Sequence, residues 1–320
     1  MKKVLVTGGL GTVGHVLVKE LEKRGHDVWV CDLPHHHSDK YFRCNIYSFR
    51  QLSSIFERHR FDCVYNLAAE FGRWNGEDYY DSLWESNVIG MKNIIRLQEK
   101  YRFRLIHFSS SEVYGDYEGV MSEDVMDKFE IRQMNDYAIS KWVNELQIMN
   151  SASMYKTENV RVRLFNTYGP GEYYSPYRSV VCLFIYRAIM GLPYRVFLGH
   201  HRTSTYVTDT VVSLANIIEN FIPGEVYNIG GTQYHDIKYL SDLILKNVGR
   251  DDSIVTYVEE GEPFTTKKKL IDCSKAVRDL NHSPTVTIEE GIPLTVDWMK
   301  SVYLKEAATA IGDLTKGPRP

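Results

Sequence analysis

The segment Thr7-Gly-Gly-Leu-Gly-Thr-Val-Gly14 constrains this chain more than any other, because it joins a β-branched run, Lys3 to Thr7, directly to a helical stretch, His15 to Arg24. Glycines at 8, 11 and 14 permit a tight turn and a close approach of backbone to an anion, which the N–H groups and the helix N-terminus then meet. The helix is predicted to bury Val16, Leu17 and Leu21, to expose Lys19, Glu20, Glu22 and Lys23, and to stop at Gly25. A second run, Asp27 to Asp32, closes a strand–helix–strand unit of about 30 residues. The same alternation predicts strands at Cys63 to Ala68, Leu105 to Ser109, Val160 to Leu164 and Val226 to Ile229. Helices are predicted at Ser86 to Lys100, Asp136 to Ser151, Ser179 to Met190 and Asp209 to Asn220. An α/β fold follows, with a doubly wound parallel sheet.

The second strand ends on Asp32, where a ribose 2′-hydroxyl would lie over such a loop. A carboxylate accepts from a free hydroxyl and repels a 2′-phosphate, and no Arg or Lys stands in Leu33-Pro-His-His-His37, so NAD is expected over NADP. The three histidines have no further ligand cluster at metal spacing and read as a loop beside the adenosine, with no metal expected. The chain has 320 residues and a formal charge of −3, which excludes bulk electrostatic binding of nucleic acid or anionic membrane. The longest apolar run, Val180 to Tyr186, is far short of the roughly 20 residues of a membrane span. Five cysteines without a Cys-x-x-Cys pair point to a reducing, cytoplasmic setting.

A Pro/Gly/Tyr-rich stretch from Tyr168 to Tyr177 marks a boundary. Residues 1–165 are expected to form the nucleotide-binding domain, with segments near 210–230 returning to it, and 166–320 mainly a smaller substrate-binding domain. The last residues, near 308–320, read as a loose tail.

Tyr137 and Lys141 stand four apart within a helical stretch, so they share a face. Upstream, Ser109-Ser-Ser-Glu-Val-Tyr-Gly115 follows a strand, and period-two alternation puts Ser110 and Glu112 on one side. A phenol acting as a base must fall from about 10 to about 7, roughly 4 kcal/mol. An ammonium about 6 Å away supplies roughly 3 kcal/mol, and an oxidised nicotinamide adds positive charge. Ser110 would orient a hydroxyl while Tyr137 takes its proton and hydride leaves the carbon for NAD.

These residues resemble the extended short-chain dehydrogenase/reductases, and within them the nucleotide-sugar epimerases and dehydratases. The resemblance runs over nearly the whole chain: the glycine loop, Asp32, Asn45-Ile46, Asn66-Leu-Ala-Ala69, Asn87-Val-Ile-Gly90, Ser110, Tyr137/Lys141, Arg163-Leu-Phe-Asn-Thr-Tyr-Gly-Pro170, Arg202 with Tyr206-Val-Thr-Asp209, and Tyr227-Asn-Ile-Gly-Gly231. It implies a Rossmann-type sheet with a C-terminal substrate-binding domain. It implies NAD contacts from Gly8, Gly11, Thr12, Val13, Gly14, Asp32, Leu33, Asn45, Ile46, Leu67, Ala68, Ala69, Asn87, Tyr137 and Lys141. Catalysis falls to Tyr137, Lys141, Ser110 and Glu112, and a nucleoside-diphosphate sugar to Glu70, Arg73, Ser111, Asn166 and Arg202. The usual second phosphate arginine is replaced by the acidic Glu259-Glu-Gly-Glu262, with Lys267, Lys268 or Lys269 as candidate substitutes.

The implied chemistry begins with oxidation at C4. Thymidine-linked glucose dehydratases carry Thr-Asp-Glu where this chain has Ser110-Ser111-Glu112, which keeps the base position and loses the acid. Ser-Glu also resembles GDP-mannose dehydratases and uronate decarboxylases. A 4-keto species with Glu112 placed for proton transfer at C5 is the leading expectation. A 4-epimerase, a dehydrogenase that stops at the ketone, and a non-catalytic NAD-binding protein are the alternatives. Tyr168, Tyr173, Tyr174 and Tyr177 either stack on the substrate or fill surface, while Phe71, Trp74, Tyr79, Tyr80 and Trp84 either roof the sugar pocket or pack between domains. Relatives dimerise through the helix bearing Tyr137 and the one near Ser86 to Lys100, so a homodimer is expected, with Trp142, Val143, Leu146 and Met149 on its face.

Overall fold

A computed structural model describes residues 1–314, with side chains through residue 304. Seven strands form one parallel sheet: β1 (Lys3–Thr7), β2 (Asp27–Asp32), β3 (Tyr41–Arg43), β4 (Cys63–Asn66), β5 (Arg104–Ser110), β6 (Asn159–Leu164) and β7 (Val226–Ile229). Their spatial order is 3-2-1-4-5-6-7. The order reverses between β1 and β4, and a crevice opens there at the carboxyl ends of the strands.

The period of two along β1 separates the layers. Val4 and Val6 face a cluster holding Leu17 and Leu21 of α1 (Gly14–Lys23), while Leu5 faces Leu52, Ile55 and Phe56 of α2 (Phe49–Arg58) and Ile94 and Ile95 of α3 (Gly90–Tyr101). Val4, Leu5 and Val6 are all fully buried, about 1.5–3 kcal/mol each. The helix carrying Tyr137, α4 (Asp136–Tyr155), adds Ile148 to the second cluster. Its start is capped by Asn135, whose side chain accepts from Ala138 N–H at 2.7 Å.

A third apolar cluster gathers α5 (Val180–Met190), α7 (Ile237–Val248) and the first turns of α8 (Ile288–Leu314), through Ile185, Leu240, Ile244, Ile292 and Met299. Between them in sequence, α6 (Val207–Asn216) and β7 go back to the large sheet, where Val211 and Leu214 pack against the α1 side. Asp209 pins the later chain there, its carboxylate accepting from the N–H groups of Thr285 and Val286 at 2.7 and 2.8 Å. Helix α8 runs through Leu314, so the first residues of the expected tail continue a helix, and 315–320 lie outside the described residues.

Two expectations differ in detail. The helix predicted over Ser86 to Lys100 opens with a π-helical turn, Glu85–Ile89, before α3. That widening turns Asn87 inward, where its amide bonds the N–H and C=O of Glu70 at 2.9 and 3.0 Å and Ser140 Oγ at 3.0 Å. The tyrosine-rich stretch mostly builds core and domain surface: Tyr168 is buried against Tyr206, Tyr174 stacks on Tyr186 at 3.6 Å, and Tyr173 meets Trp298. Only Tyr177 of the four lines the large cavity.

Candidate active site

The crevice is a cavity of about 1100 Å³, large enough for a dinucleotide and a second ligand together. Gly8, Gly11, Thr12, Val13 and Gly14 line one end, with Asp32, Leu33, Asn45, Ile46, Leu67, Ala68 and Ala69. Gly8 has φ +69°, and a Cβ there would lie 2.8 Å from Ala68 N; a Cβ on Gly14 would lie 2.2 Å from the Gly8 carbonyl. The loop is thus closed onto the end of β4 and onto itself, as the fit of a pyrophosphate against backbone demands. Asp32 ties this turn to β2, its two oxygens accepting from Leu10 N–H at 2.9 Å and Leu33 N–H at 2.7 Å. Thr7 Oγ1 donates to Asn66 Oδ1 at 2.6 Å and accepts from Ala68 N–H, fixing the loop that carries Ala68 and Ala69. The donor set, glycine turn and acidic strand end fit NAD.

The middle of the cavity holds Ser110, Ser111, Glu112, Tyr137 and Lys141 together. Ser110 ends β5 and caps a single 3-10 turn, its Oγ accepting from Glu112 N–H at 3.2 Å. That turn rotates the chain so that Ser110 and Glu112 both reach the cavity. Lys141 Nζ donates to the Phe108 carbonyl at 2.9 Å and stands 5.8 Å from the centre of the Tyr137 ring. Burial pulls this ammonium down to about 8. Burial also pushes the Tyr137 phenol up to about 12, against a lowering hydrogen bond from Ser110 and with the Glu112 charge adding to the rise. The protein's own groups therefore do not supply the drop toward neutrality expected from Lys141. Bringing the phenol from about 12 to about 7 takes roughly 7 kcal/mol, most of which must come from charge that arrives with the cofactor and substrate.

The far end carries Glu70, Arg73, Asn166 and Arg202. Asn166 adopts φ +36° and donates to the Thr203 carbonyl at 3.1 Å. Arg202 is buried, donating to the carbonyls of His201 and Lys267 at 2.8 and 3.0 Å, and lies 3.9 Å from Glu262. Arg73 pairs with the same Glu262 at 2.9 Å. Glu262 is in turn held by His200, whose Nε2 accepts from the Glu262 N–H at 3.1 Å, its ring drawn down to about 4 chiefly by burial.

Every site residue expected from sequence lines this cavity except Asn87, which stands behind the wall and holds Glu70. The lysines proposed as phosphate substitutes do not line it: Lys267 and Lys268 are exposed, and Lys269 is buried in an ion pair with Glu112. Arg178, Arg187 and Arg195 line it instead. Arg178 lies over the Phe71 ring at 3.9 Å. No motif spacing marks these arginines, because three separate segments bring them in: Arg178 from a loop, Arg187 from α5 and Arg195 from a short strand, Tyr194–Phe197.

The sequence profile described as the NAD dependent epimerase/dehydratase family matches residues 4–230. The UDP-N-acetyl-alpha-D-glucosaminuronate decarboxylase of Bacillus cytotoxicus is 28% identical over 94% of this chain and 98% of its own length. The dTDP-glucose 4,6-dehydratase of Neisseria meningitidis is 25% identical over 93% of each chain. Among solved structures, the UDP-glucose 4-epimerase of Thermotoga maritima with UDP-glucose superposes with TM-score 0.84 at 26% identity, over 93% of this chain and 99% of that one.

Proposed function

Since the chain belongs to the NAD dependent epimerase/dehydratase family, we propose that it modifies a nucleoside-diphosphate sugar by oxidising the C4 hydroxyl to a ketone, with Glu112 placed for proton transfer at C5. The observation that carries this reading is the convergence of Ser110, Tyr137, Lys141 and Glu112 in one cavity with the glycine loop and Asp32. The glycine loop, Asp32 and the walls at Ile46 and Ala68 would hold NAD, which when bound would supply the hydride acceptor. Ser110 orients the sugar hydroxyl and Tyr137 accepts its proton. Lys141 holds positive charge beside the phenol as it ionises, fixed by the Phe108 carbonyl. Arg73 and Arg202, with Asn166, hold the diphosphate end, and Arg178 and Arg195 add positive charge to the same wall. The decarboxylase and dehydratase relatives, both proteins with nucleotide-sugar names, support the substrate class.

A 4-epimerase is the second reading, and one observation favours it. Glu112 is paired with Lys269, which weakens the carboxylate as a base, and epimerisation needs no base at C5. Mass spectrometry after incubation with UDP-, dTDP-, GDP- and CDP-sugars separates the outcomes. Loss of water or of CO₂ supports the Glu112 chemistry, and an isomer of unchanged mass supports epimerisation. Absence of any product from all four sets contradicts the proposal.

We also infer a homodimer. Ile89 on the π-helical turn is 50% exposed, Leu146 on α4 46% and Met149 36%, and Gln147 links the two elements through the Val88 carbonyl at 3.4 Å. Trp142, expected on that face, instead packs beside Tyr114 and Arg163. Sedimentation equilibrium is expected to read twice the chain mass, and Leu146→Glu to return it to one. No helix of the described residues is long and apolar enough to cross a membrane, and the five cysteines are free, which supports a reducing cytoplasmic site of action.

A further inference from the structure

Lys269 is 3% exposed and its Nζ bonds Glu112 Oε1, although its two lysine neighbours in sequence are exposed. A buried ammonium without a partner costs several kcal/mol, so this side chain is turned inward only because a carboxylate meets it. Its backbone is fixed on both sides: the Lys269 N–H donates to the His201 carbonyl at 3.2 Å, and its carbonyl accepts from Thr203 Oγ1 at 3.1 Å. Arg202 stands between those two anchors. Lys269 does not line the cavity, and Glu112 does. The ammonium therefore meets the carboxylate from outside the cavity lining.

Resting on the reading of the cavity as a sugar-nucleotide site, we propose that Lys269 is a positioning residue, whose ammonium clamps one oxygen of Glu112 so that the carboxylate faces C5 of the sugar in a fixed orientation. Three cations, Lys269, Arg73 and Arg202, face two carboxylates, Glu112 and Glu262, in this cluster. Burial alone would raise the Glu112 carboxyl, but Lys269, Arg73 and Arg202 together hold it below the usual carboxylate value. Burial brings Lys269 itself down to about 8, outweighing the pull of Glu112. The clamp is thus charged below about pH 8 and is lost as pH rises through that value, while Arg73 and Arg202 stay ionised. The clamp couples segments that are far apart in sequence: Glu112 and Lys269 are 157 positions apart.

Carboxylate ¹³C resonances of the full chain labelled at glutamate, with Glu112→Gln to assign the signal, test the clamp directly. In the wild-type chain Glu112 is expected to titrate below the ordinary carboxylate range and to show a second inflection near pH 8 as Lys269 loses its proton. Lys269→Met should raise the Glu112 midpoint by about one pH unit or more, a tenfold gain in proton affinity, and Lys269→Arg should restore it while abolishing the inflection near pH 8. A Glu112 midpoint that Lys269→Met leaves in place, or a wild-type Glu112 signal that senses no lysine titration at any pH, overturns the clamp. With a sugar nucleotide that the enzyme turns over, Lys269→Met should slow deuterium uptake from D₂O at C5 by about tenfold or more and leave KM within about threefold. Equal loss in both overturns the positioning role. Failure of the wild-type chain to turn over any sugar nucleotide overturns the reading of the cavity, and the carboxylate titration then still decides the clamp.

Discussion

Tyr137→Phe is expected to lower turnover of the sugar nucleotide by about 10²- to 10⁴-fold, the range for loss of a positioned acid or base, or roughly 3–6 kcal/mol of transition-state stabilisation. The ring stays, so the packing of Gly76 against the Tyr137 backbone and Cβ is kept and the fold should be unchanged. Only the phenol oxygen goes, from a ring whose centre Lys141 Nζ faces at 5.8 Å. NAD affinity, followed by quenching of protein fluorescence, should fall far less than turnover, because the glycine loop and Asp32 remain. Turnover within about threefold of the wild type would mean that the proton leaves through another group.

Glu145→Ala should cost about 3–5 kcal/mol of stability, the most damaging single change we foresee outside the cavity. Glu145 is fully buried on α4 and accepts from Arg163 Nε and Nη2 at 3.0 and 2.9 Å, from Arg161 Nη1 at 3.5 Å and from Ser109 Oγ at 2.6 Å. Burial works against all three charges, and their mutual attraction keeps the carboxyl low and the Arg163 guanidinium above its usual value. Removing the carboxylate strands Arg163, whose side chain is 2% exposed, with only Tyr114 Oη and the Glu123 carbonyl as acceptors. The network ties α4 to β5 and β6 directly behind Ser110, Tyr137 and Lys141, so activity should fall with stability. Urea denaturation checks the magnitude. The double change Glu145→Met with Arg163→Met should be less damaging than Glu145→Ala, because only Arg161 then lacks its carboxylate, and that guanidinium keeps the Gly224 carbonyl at 2.9 Å. A loss under about 1 kcal/mol for Glu145→Ala would show that solvent reaches Arg163.

The sheet and the cofactor end were legible because both are written locally. β1, β2 and β7 begin and end at the residues predicted, and β4, β5 and β6 shift by one or two, since a buried parallel strand is a short apolar run between breakers, whereas the three-residue edge strand β3 was not predicted. The glycine loop and the Tyr137/Lys141 pair depend on spacing along one element, which sequence preserves. What needed the fold was charge brought together from distant segments. Nothing in Lys267-Lys-Lys269 says which lysine turns inward; that depends on a bridge to His201 and on Glu112 lying beneath it. The π-helical turn at Asn87 was hidden for a different reason. Its apolar spacing continues that of α3, and only the two bonds to the Glu70 backbone reveal the extra residue in the turn. The tyrosines after Asn166 stay open in sequence because a phenol suits a core edge, a surface and a ligand alike; in the fold Tyr174 stacks on Tyr186, Tyr173 meets Trp298 edge-on at the surface, and Tyr177 lines the cavity.

Hydride transfer from C4 of the sugar to NAD is the step on which the roles of Ser110, Tyr137 and Lys141 rest. A candidate sugar nucleotide deuterated at C4, turned over in ordinary water, tests it most directly. The label is expected to stay within the enzyme complex: it is found in the product or in the cofactor released on quenching, and the absorbance of reduced nicotinamide rises transiently. Product whose C4 label has washed into solvent, with no such absorbance, would contradict it.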